Sequence, residues 1–211
     1  MRAALLPLGL LVLAACWLIS PMGLLPPSFS LHMTMHMGVV ALAAPLIAFG
    51  VAGGKLDPVG KAPRLFAPIP ASVVELIVVW TWHAPALHEA TQHSAAALVL
   101  EQGSFLVSSL WVWLSAFGGT MRERSERGAA GVVALLLTSM HMTLLGALLA
   151  LPPRPLYAHS AHGARTSLAP LTDQHLGGAI MLLGGGVSYL LGGLLLTAEL
   201  LRSARTAREQ S

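Results

Sequence analysis

Apolar residues run in six long stretches along the chain, separated by short segments that hold most of its charged residues. Each stretch has about 20 residues, the length that an α-helix needs to cross the hydrocarbon core of a bilayer. The pattern therefore predicts an all-α, polytopic membrane helical bundle with about six transmembrane helices, forming a single domain over residues 1–211. The predicted spans are Ala3–Ser20, Leu31–Gly53, Ile69–Leu87, Ala95–Gly118, Ala129–Leu151 and His175–Leu201.

The composition supports a membrane protein over a soluble one. Hydrophobic residues make up 55% of the 211 residues and charged residues only 10%. The net charge of +3 would raise the question of nucleic-acid binding in a soluble protein, but here the basic residues lie in short loops between apolar spans. Of the 12 Lys and Arg residues, all but Arg154 and Arg165 fall on one set of loops or on the termini. Because such residues are enriched on the cytoplasmic side, both termini are predicted to be cytoplasmic.

Cys16 ends the stretch Leu13-Ala14-Ala15-Cys16, which resembles a lipoprotein cleavage box. The apolar run continues beyond it, whereas the apolar region of a signal peptide usually ends near its cleavage site, so we expect an intact first span. Cleavage would leave five spans and move no other loop. Cys16 is also the only cysteine, which excludes an intramolecular disulfide and a CxxC metal site. A metal would have to be held by His, Met or carboxylate groups.

The second span opens with Leu31-His32-Met33-Thr34-Met35-His36-Met37, where a membrane helix would normally carry Leu and Val. In a helix, His32 and His36 share one face, and Met33 and Met37 form a second pair beside them. Imidazole and thioether groups together favour copper, particularly Cu(I), and zinc is the second choice.

Other polar residues sit in the outer halves of the predicted spans, on the side opposite the cytoplasm. With this topology all nine histidines lie in that half or in outer loops. Ionisable side chains inside a membrane are functional candidates, and their natural partners are each other. The predicted metal ligands are His32, His36, Met33, Met37, His83, Glu101, His141, Met142, Asp173 and His175. Gln102 and Gln174 are expected to orient these ligands, and no catalytic residue is predicted.

Several of these residues also have structural explanations. His83 can hydrogen-bond a helix end, Glu101 can pair with a histidine or an outer arginine, and Asp173 fits the N-cap of the last helix. Glu75, toward the cytoplasmic side of the third span, is expected to be structural. The remaining outer histidines are interpreted as solvated loop residues: His88, His93, His159 and His162.

Five segments, in order, resemble the caa3-type CtaG family of cytochrome c oxidase assembly factors. They are His32-Met33-Thr34-Met35-His36-Met37 with Ala44-Pro45, Trp82-His83-Ala84-Pro85, Glu101-Gln102 before Phe105, Met142-Thr143-Leu144-Leu145-Gly146-Ala147 with Arg154-Pro155-Leu156-Tyr157, and Asp173-Gln174-His175-Leu176-Gly177-Gly178. The resemblance spans most of the chain from the second helix onward. Where the family usually reads Glu-His this chain has Gln102, and where it often reads Asp-Gln-Gln this chain has His175.

The resemblance implies an integral protein of the bacterial cytoplasmic (inner) membrane that assists assembly of the terminal oxidase. It also implies copper supply to that oxidase, placing His32, His36, Glu101, Met142, Asp173 and Gln174 on the recurrent polar positions of the family. The expected partners are terminal oxidase subunits, an extracytoplasmic copper donor, membrane lipid and a second copy of the chain. The expected activity is ligand exchange, so the protein is predicted not to be an enzyme.

Three alternatives remain from the sequence. A haem-binding membrane protein would use two imidazoles as axial ligands of haem b, either His36 with His83 or His141 with His175. A copper permease would need polar residues through the inner half, where the sequence pattern indicates Leu, Val, Ala and Gly apart from Glu75. A structural subunit of a membrane complex would bind no metal.

Overall fold

The computed structural model describes residues 2–19, 25, 28–157 and 168–209. Within these residues it contains helices and connecting turns and no strand. The α-helices are α1 (Arg2–Ile19), α2 (Phe29–Met37), α3 (Ala44–Val51), α4 (Pro68–Trp82), α5 (Pro85–His93), α6 (Ala95–Phe117), α7 (Met121–Ala150) and α8 (Pro170–Glu209). A π-helical segment, Gly38–Ala43, joins α2 to α3, and a short 3₁₀ turn spans Val59–Lys61.

Four of these helical stretches are long and apolar enough to cross a bilayer: Phe29–Val51, Ala95–Phe117, Met121–Ala150 and Pro170–Thr206. The bent pair α4 and α5 makes a fifth if it is counted as one span, and α1 contributes the shorter apolar stretch Ala4–Leu18. The predicted all-helical class is therefore confirmed, and the long apolar helices indicate a membrane protein. The count of six spans and the side of the termini stay predictions.

The helix that carries His32 and His36 begins at a well-defined cap. Ser28 lies at the N-cap of α2, where its hydroxyl accepts a hydrogen bond from the Leu31 N–H at 3.0 Å. After Met37 the helix widens into the π-helical segment, a feature that often marks functional sites. The widened turn offers the Ala41 carbonyl to the Ser188 hydroxyl of α8, which donates to it at 2.8 Å.

The third predicted span, Ile69–Leu87, is not one continuous helix. Helix α4 ends at Trp82, and α5 begins at Pro85 at an angle of 70° to it. Pro85 has no N–H to continue the α4 hydrogen-bond ladder, and it favours an extended conformation in the residue before it; Ala84 adopts φ −63° and ψ 134°. The bend brings α5 against α6.

Helices α7 and α8 pack at close range through glycine. A Cβ atom on Gly146 would lie 2.5 Å from the backbone nitrogen of Leu182, and one on Gly178 would lie 2.5 Å from that of Ala150. Both clashes are with backbone, so no side-chain rotation relieves them. Such contacts between small residues hold membrane helices together where the hydrophobic effect does not.

The part of the bundle around Glu75 is more polar than the sequence pattern indicated. Glu75 is fully buried in α4, and its Oε1 accepts hydrogen bonds from the Ser109 hydroxyl at 2.8 Å and from the Tyr189 hydroxyl. Nearby, Ser72 and Thr138 hydrogen-bond each other at 2.8 Å. The interpretation that Glu75 is the only polar group of this region was wrong, because hydroxyl side chains are inconspicuous within an apolar stretch.

Candidate functional site

His32, His36 and Glu101 meet in the interior of the bundle, and we call them the His/Glu cluster. His32 and His36 are one turn apart on α2, and their Nε2 atoms lie 2.8 Å apart. Glu101 reaches them from α6, with its Oε1 at 3.4 Å from the His32 Nε2 and 3.5 Å from the His36 Nε2. All three side chains are buried, and Glu101 is 1% exposed.

The three atoms of the His/Glu cluster have the separations of ligands around one ion. Nitrogen and oxygen ligands about 2.0–2.1 Å from a tetrahedral ion lie about 3.3–3.4 Å from one another. Two of the observed separations, 3.4 and 3.5 Å, match that edge length, and the third, 2.8 Å, is shorter by about half an ångström. The donor set of two imidazoles and one carboxylate therefore fits a single cation after a small separation of the two rings.

Gln102 lies beside His36, as expected for a residue that orients a ligand. Its side-chain nitrogen is 3.2 Å from the His36 Nδ1, while its Oε1 is buried and has no hydrogen-bond partner among the described residues. An imidazole that binds a cation through Nε2 carries its proton on Nδ1. A half-turn of the Gln102 amide would place Oε1 where it accepts that proton.

The electrostatics of the cluster favour a positive occupant. The Glu101 carboxylate is buried, and its Oε2 has no hydrogen-bond partner in the part of the chain that the structure describes. An ionised carboxylate in such a place needs a compensating positive charge. Either a proton on one of the two imidazoles or a cation bound between them and Glu101 supplies this charge.

A small cavity of about 10 Å³ adjoins the cluster at His36. We call it the thioether cavity, because three methionines contribute to its walls. It is lined by His36, Met37, Val40, Val79, His83, Phe105, Met142 and Met181. Of the predicted ligands, His36, Met37, His83 and Met142 therefore converge around one space.

His83 lines this cavity and carries a ring nitrogen without a hydrogen-bond partner among the described residues. Its Nδ1 donates to the Val79 carbonyl at 2.7 Å, which leaves Nε2 as the acceptor nitrogen of the neutral ring. That Nε2 is buried and has no hydrogen-bond partner among the described residues. The predicted hydrogen bond of His83 to a helix end is confirmed, and the same bond fixes the ring with Nε2 available.

Helix α5 and the segment after α7 cover the cluster on the side of His32, and we call them the cover. The His88 ring packs against His32 at 5.0 Å between centroids, and against Tyr157 at 4.4 Å. The interpretation of His88 as a solvated loop residue was wrong: the bend at Ala84–Pro85 turns this residue inward, where it is 3% exposed. His93 is exposed, as predicted, and His159 and His162 lie outside the described residues.

Tyr157 fixes this cover to the helix below it. Its hydroxyl donates a hydrogen bond to the His83 carbonyl at 2.8 Å, and its ring stacks on Phe29 at 5.0 Å. Burial raises the pKa of Tyr157 to about 12, so the hydroxyl stays a donor well above neutral pH. This residue was not singled out as functional, since a tyrosine in a loop carries no such signal.

Asp173 serves a different helix from the one that carries it. Helix α8 begins at Pro170, so Asp173 lies within its first turn, and the prediction that it caps α8 was wrong. Its carboxylate accepts hydrogen bonds from the N–H groups of Phe29 at 2.8 Å and Ser30 at 3.1 Å, and from the Ser30 hydroxyl. Asp173 thus caps the N-terminus of α2, one turn above His32, and is engaged there instead of in the His/Glu cluster.

Gln174 and His175 hold the segment that follows α7. The Gln174 amide accepts from the Leu156 N–H at 2.6 Å and donates to the Leu149 carbonyl at 3.1 Å. His175 Nε2 donates to the Pro152 carbonyl at 2.9 Å. Both side chains hold the part of the cover that follows α7, and the structure does not bring them into the cluster.

Two other predicted ligands point elsewhere. Met33 packs on α8, where a Cβ atom on Gly177 would lie 3.0 Å from its Cγ. His141 is buried but does not line the cavity that its neighbour Met142 lines, because adjacent helical residues point about 100° apart. Met181, by contrast, lines the cavity and was missed; a single methionine in an apolar span gives no signal.

A family model described as "Cytochrome c oxidase caa3 assembly factor (Caa3_CtaG)" matches residues 1–203 of the chain. No curated protein and no solved structure matches the chain. The matched region contains the whole His/Glu cluster, the thioether cavity and the cover.

Proposed function

The chain belongs to the cytochrome c oxidase caa3 assembly factor family, and on that premise we propose that it binds copper at the His/Glu cluster and passes it toward the oxidase. The protein then works in the bacterial inner membrane, crosses that membrane several times, and holds the cluster near the outer face. Its activity is ligand exchange with an extracytoplasmic copper donor and with oxidase subunits.

The observation that carries this proposal is the convergence of His32, His36 and Glu101 in a buried position. A carboxylate and two imidazoles within 4.8 Å of one another, away from solvent, are costly unless a cation or a shared proton joins them. Their mutual distances suit one ion after a small separation of the two rings. Glu101 offsets the charge of that ion, and Gln102 orients His36.

Copper is favoured over zinc because thioether groups stand directly beyond the cluster. His36 belongs both to the cluster and to the wall of the thioether cavity, where Met37 and Met142 are its neighbours. Zinc accepts imidazole and carboxylate ligands readily but has less use for thioethers, whereas Cu(I) is bound well by them. The neighbourhood of His36 therefore suits a soft ion.

The burial of the two histidines suggests the direction of entry. His32 is 7% exposed and lies under His88, whereas His36 is 1% exposed and lies deeper. An outer donor would meet His32 first. The cover formed by His88 and Tyr157 would have to move for copper to enter or leave.

The geometry gives less support to a haem protein. Haem b requires a pocket of several hundred Å³, in the usual range for ligand sites, and the cavity between His36 and His83 measures about 10 Å³. The other predicted pair, His141 with His175, is engaged differently, since His175 bonds the Pro152 carbonyl. A structural subunit without metal would need a protonated imidazole to balance the buried Glu101 carboxylate.

The experiment is a test of oxidase activity in cells under copper limitation. Cells that carry the H32A/H36A variant should lose most of their caa3-type oxidase activity, and added copper should restore part of it. Cells with H93A, which removes an exposed imidazole nearby, should keep wild-type activity. Normal activity of the H32A/H36A cells under copper limitation would contradict the proposal.

A further inference from the structure

The thioether cavity has the properties of a second metal position, separate from the His/Glu cluster. It adjoins the cluster at His36, and its free volume of about 10 Å³ is that of a single water-sized sphere. A buried water needs two to four polar partners. His83 lines the cavity and its Nε2 has no hydrogen-bond partner among the described residues, whereas the nitrogens of His36 already face His32 and Gln102.

The remaining donors of the cavity are soft. Met37 comes from α2, Met142 from α7 and Met181 from α8, so three helices each contribute one methionine to the lining. Met142 and Met181 are fully buried. One imidazole with three thioethers is a donor set that suits Cu(I) and offers little to Zn²⁺, Mg²⁺ or Ca²⁺.

Two glycines of α8 make room for this arrangement. A Cβ atom on Gly185 would lie 3.0 Å from the Met142 Cβ and 3.4 Å from the Met37 Sδ. One on Gly184 would lie 3.2 Å from the Met37 Cγ. Larger residues at these positions would push both methionines, so the glycine pair lets thioethers from α2 and α7 reach the same place.

We propose that the thioether cavity is a Cu(I)-selective site formed by His83, Met37, Met142 and Met181, and that it receives copper from the His/Glu cluster across the shared residue His36. This inference rests on the proposed function, since it takes copper as the metal. It adds a second position with a different donor set and assigns Met181 to it. The step between the positions exchanges nitrogen and oxygen ligands for sulfur and changes no oxidation state, because the ion enters and stays as Cu(I).

The test compares Cu(I) and Zn²⁺ binding by the purified full chain. The M142L/M181L variant keeps apolar side chains of similar volume, so the bundle should fold; circular dichroism and gel filtration check this. Its Cu(I) affinity, measured against a chromophoric Cu(I) chelator, should fall at least tenfold, and its Zn²⁺ affinity should stay within twofold. The matched control is M140L, which changes an exposed methionine of the same helix and should alter neither affinity.

X-ray absorption on the wild-type chain gives a readout that needs no variant. Bound Cu(I) should show a sulfur scattering shell, and that shell should weaken in M142L/M181L, where Met37 is the remaining thioether of the site. Cu(I) bound by the wild-type chain with only nitrogen and oxygen neighbours would overturn the inference while leaving the proposed function intact. A sulfur shell that persists in H32A/H36A would support the inference even if the His/Glu cluster proved dispensable, and a chain that binds no copper would overturn both.

Discussion

The Asp173 carboxylate of α8 accepts a hydrogen bond from the Phe29 N–H of α2 at 2.8 Å, across 144 residues of sequence. The last long helix therefore caps the helix that carries both histidines of the cluster. This contact ties the orientation of His32 and His36 to the position of α8, which also supplies Met181 to the thioether cavity.

The D173A variant should be less stable but should still bind copper. It removes the acceptor for the Phe29 and Ser30 N–H groups, and loss of a capping side chain costs about 1–2 kcal/mol. D173N keeps one acceptor oxygen and should lie between D173A and the wild type. Thermal unfolding in detergent measures the first effect, and copper content at saturation measures the second. If D173A kept its stability and lost copper, Asp173 would be a ligand and not a cap.

Variants of Glu75 test whether it acts as a hydrogen-bond acceptor. E75Q retains a carbonyl oxygen for the Ser109 and Tyr189 hydroxyls, so its unfolding temperature should stay close to that of the wild type. E75A leaves both hydroxyls without this acceptor, which costs about 1–3 kcal/mol for each buried group. The unfolding temperature of E75A should therefore be clearly lower than that of E75Q. Equal destabilisation by E75Q and E75A would show that the charge of Glu75 matters instead.

Glycine-mediated packing of α7 on α8 should be sensitive to one added methyl group. In G146A the new Cβ meets the backbone of Leu182 at 2.5 Å, so the helices must separate, at a cost of about 1–3 kcal/mol. The control is G103A on α6, where a Cβ meets nothing within 4 Å and the helical propensity improves. Thermal unfolding should rank G146A below the wild type and G103A at or above it. The reverse order would contradict the close packing.

The stability of the protein should fall above pH 10 in a way that depends on Tyr157. An ordinary tyrosine has a pKa near 10, and burial raises the pKa of Tyr157 to about 12. The unfolded phenol thus loses its proton first, so the stabilising contribution is complete below about pH 10 and is lost as the pH rises toward 12. The unfolding temperature of Y157F should decline less steeply than that of the wild type over this range. Parallel curves for the two proteins would argue against a buried Tyr157.

The fold class and the centre of the site could be predicted from the sequence because each depends on local patterns. Apolar stretches of spanning length fix the helical class, and the four-residue spacing of His32 and His36 places both rings on one face. Glu101 was a candidate because a carboxylate within a span needs a partner, and the structure supplies both histidines as partners.

The parts that escaped prediction depend on contacts between distant segments. Asp173 has the form of a cap for its own helix, and only the packing of α8 against α2 shows which N-terminus it serves. Met181 and the hydroxyls around Glu75 resemble ordinary filler of an apolar helix until other helices surround them. The inward turn of His88 follows from the Ala84–Pro85 bend, whose direction is set by packing.

Copper content of the purified chain, measured by mass spectrometry after loading and desalting, tests the central claim most directly. The wild-type chain and H93A should retain the same copper, and H32A/H36A should retain at least one equivalent less per chain. Equal copper content in all three proteins would contradict a copper site at His32, His36 and Glu101.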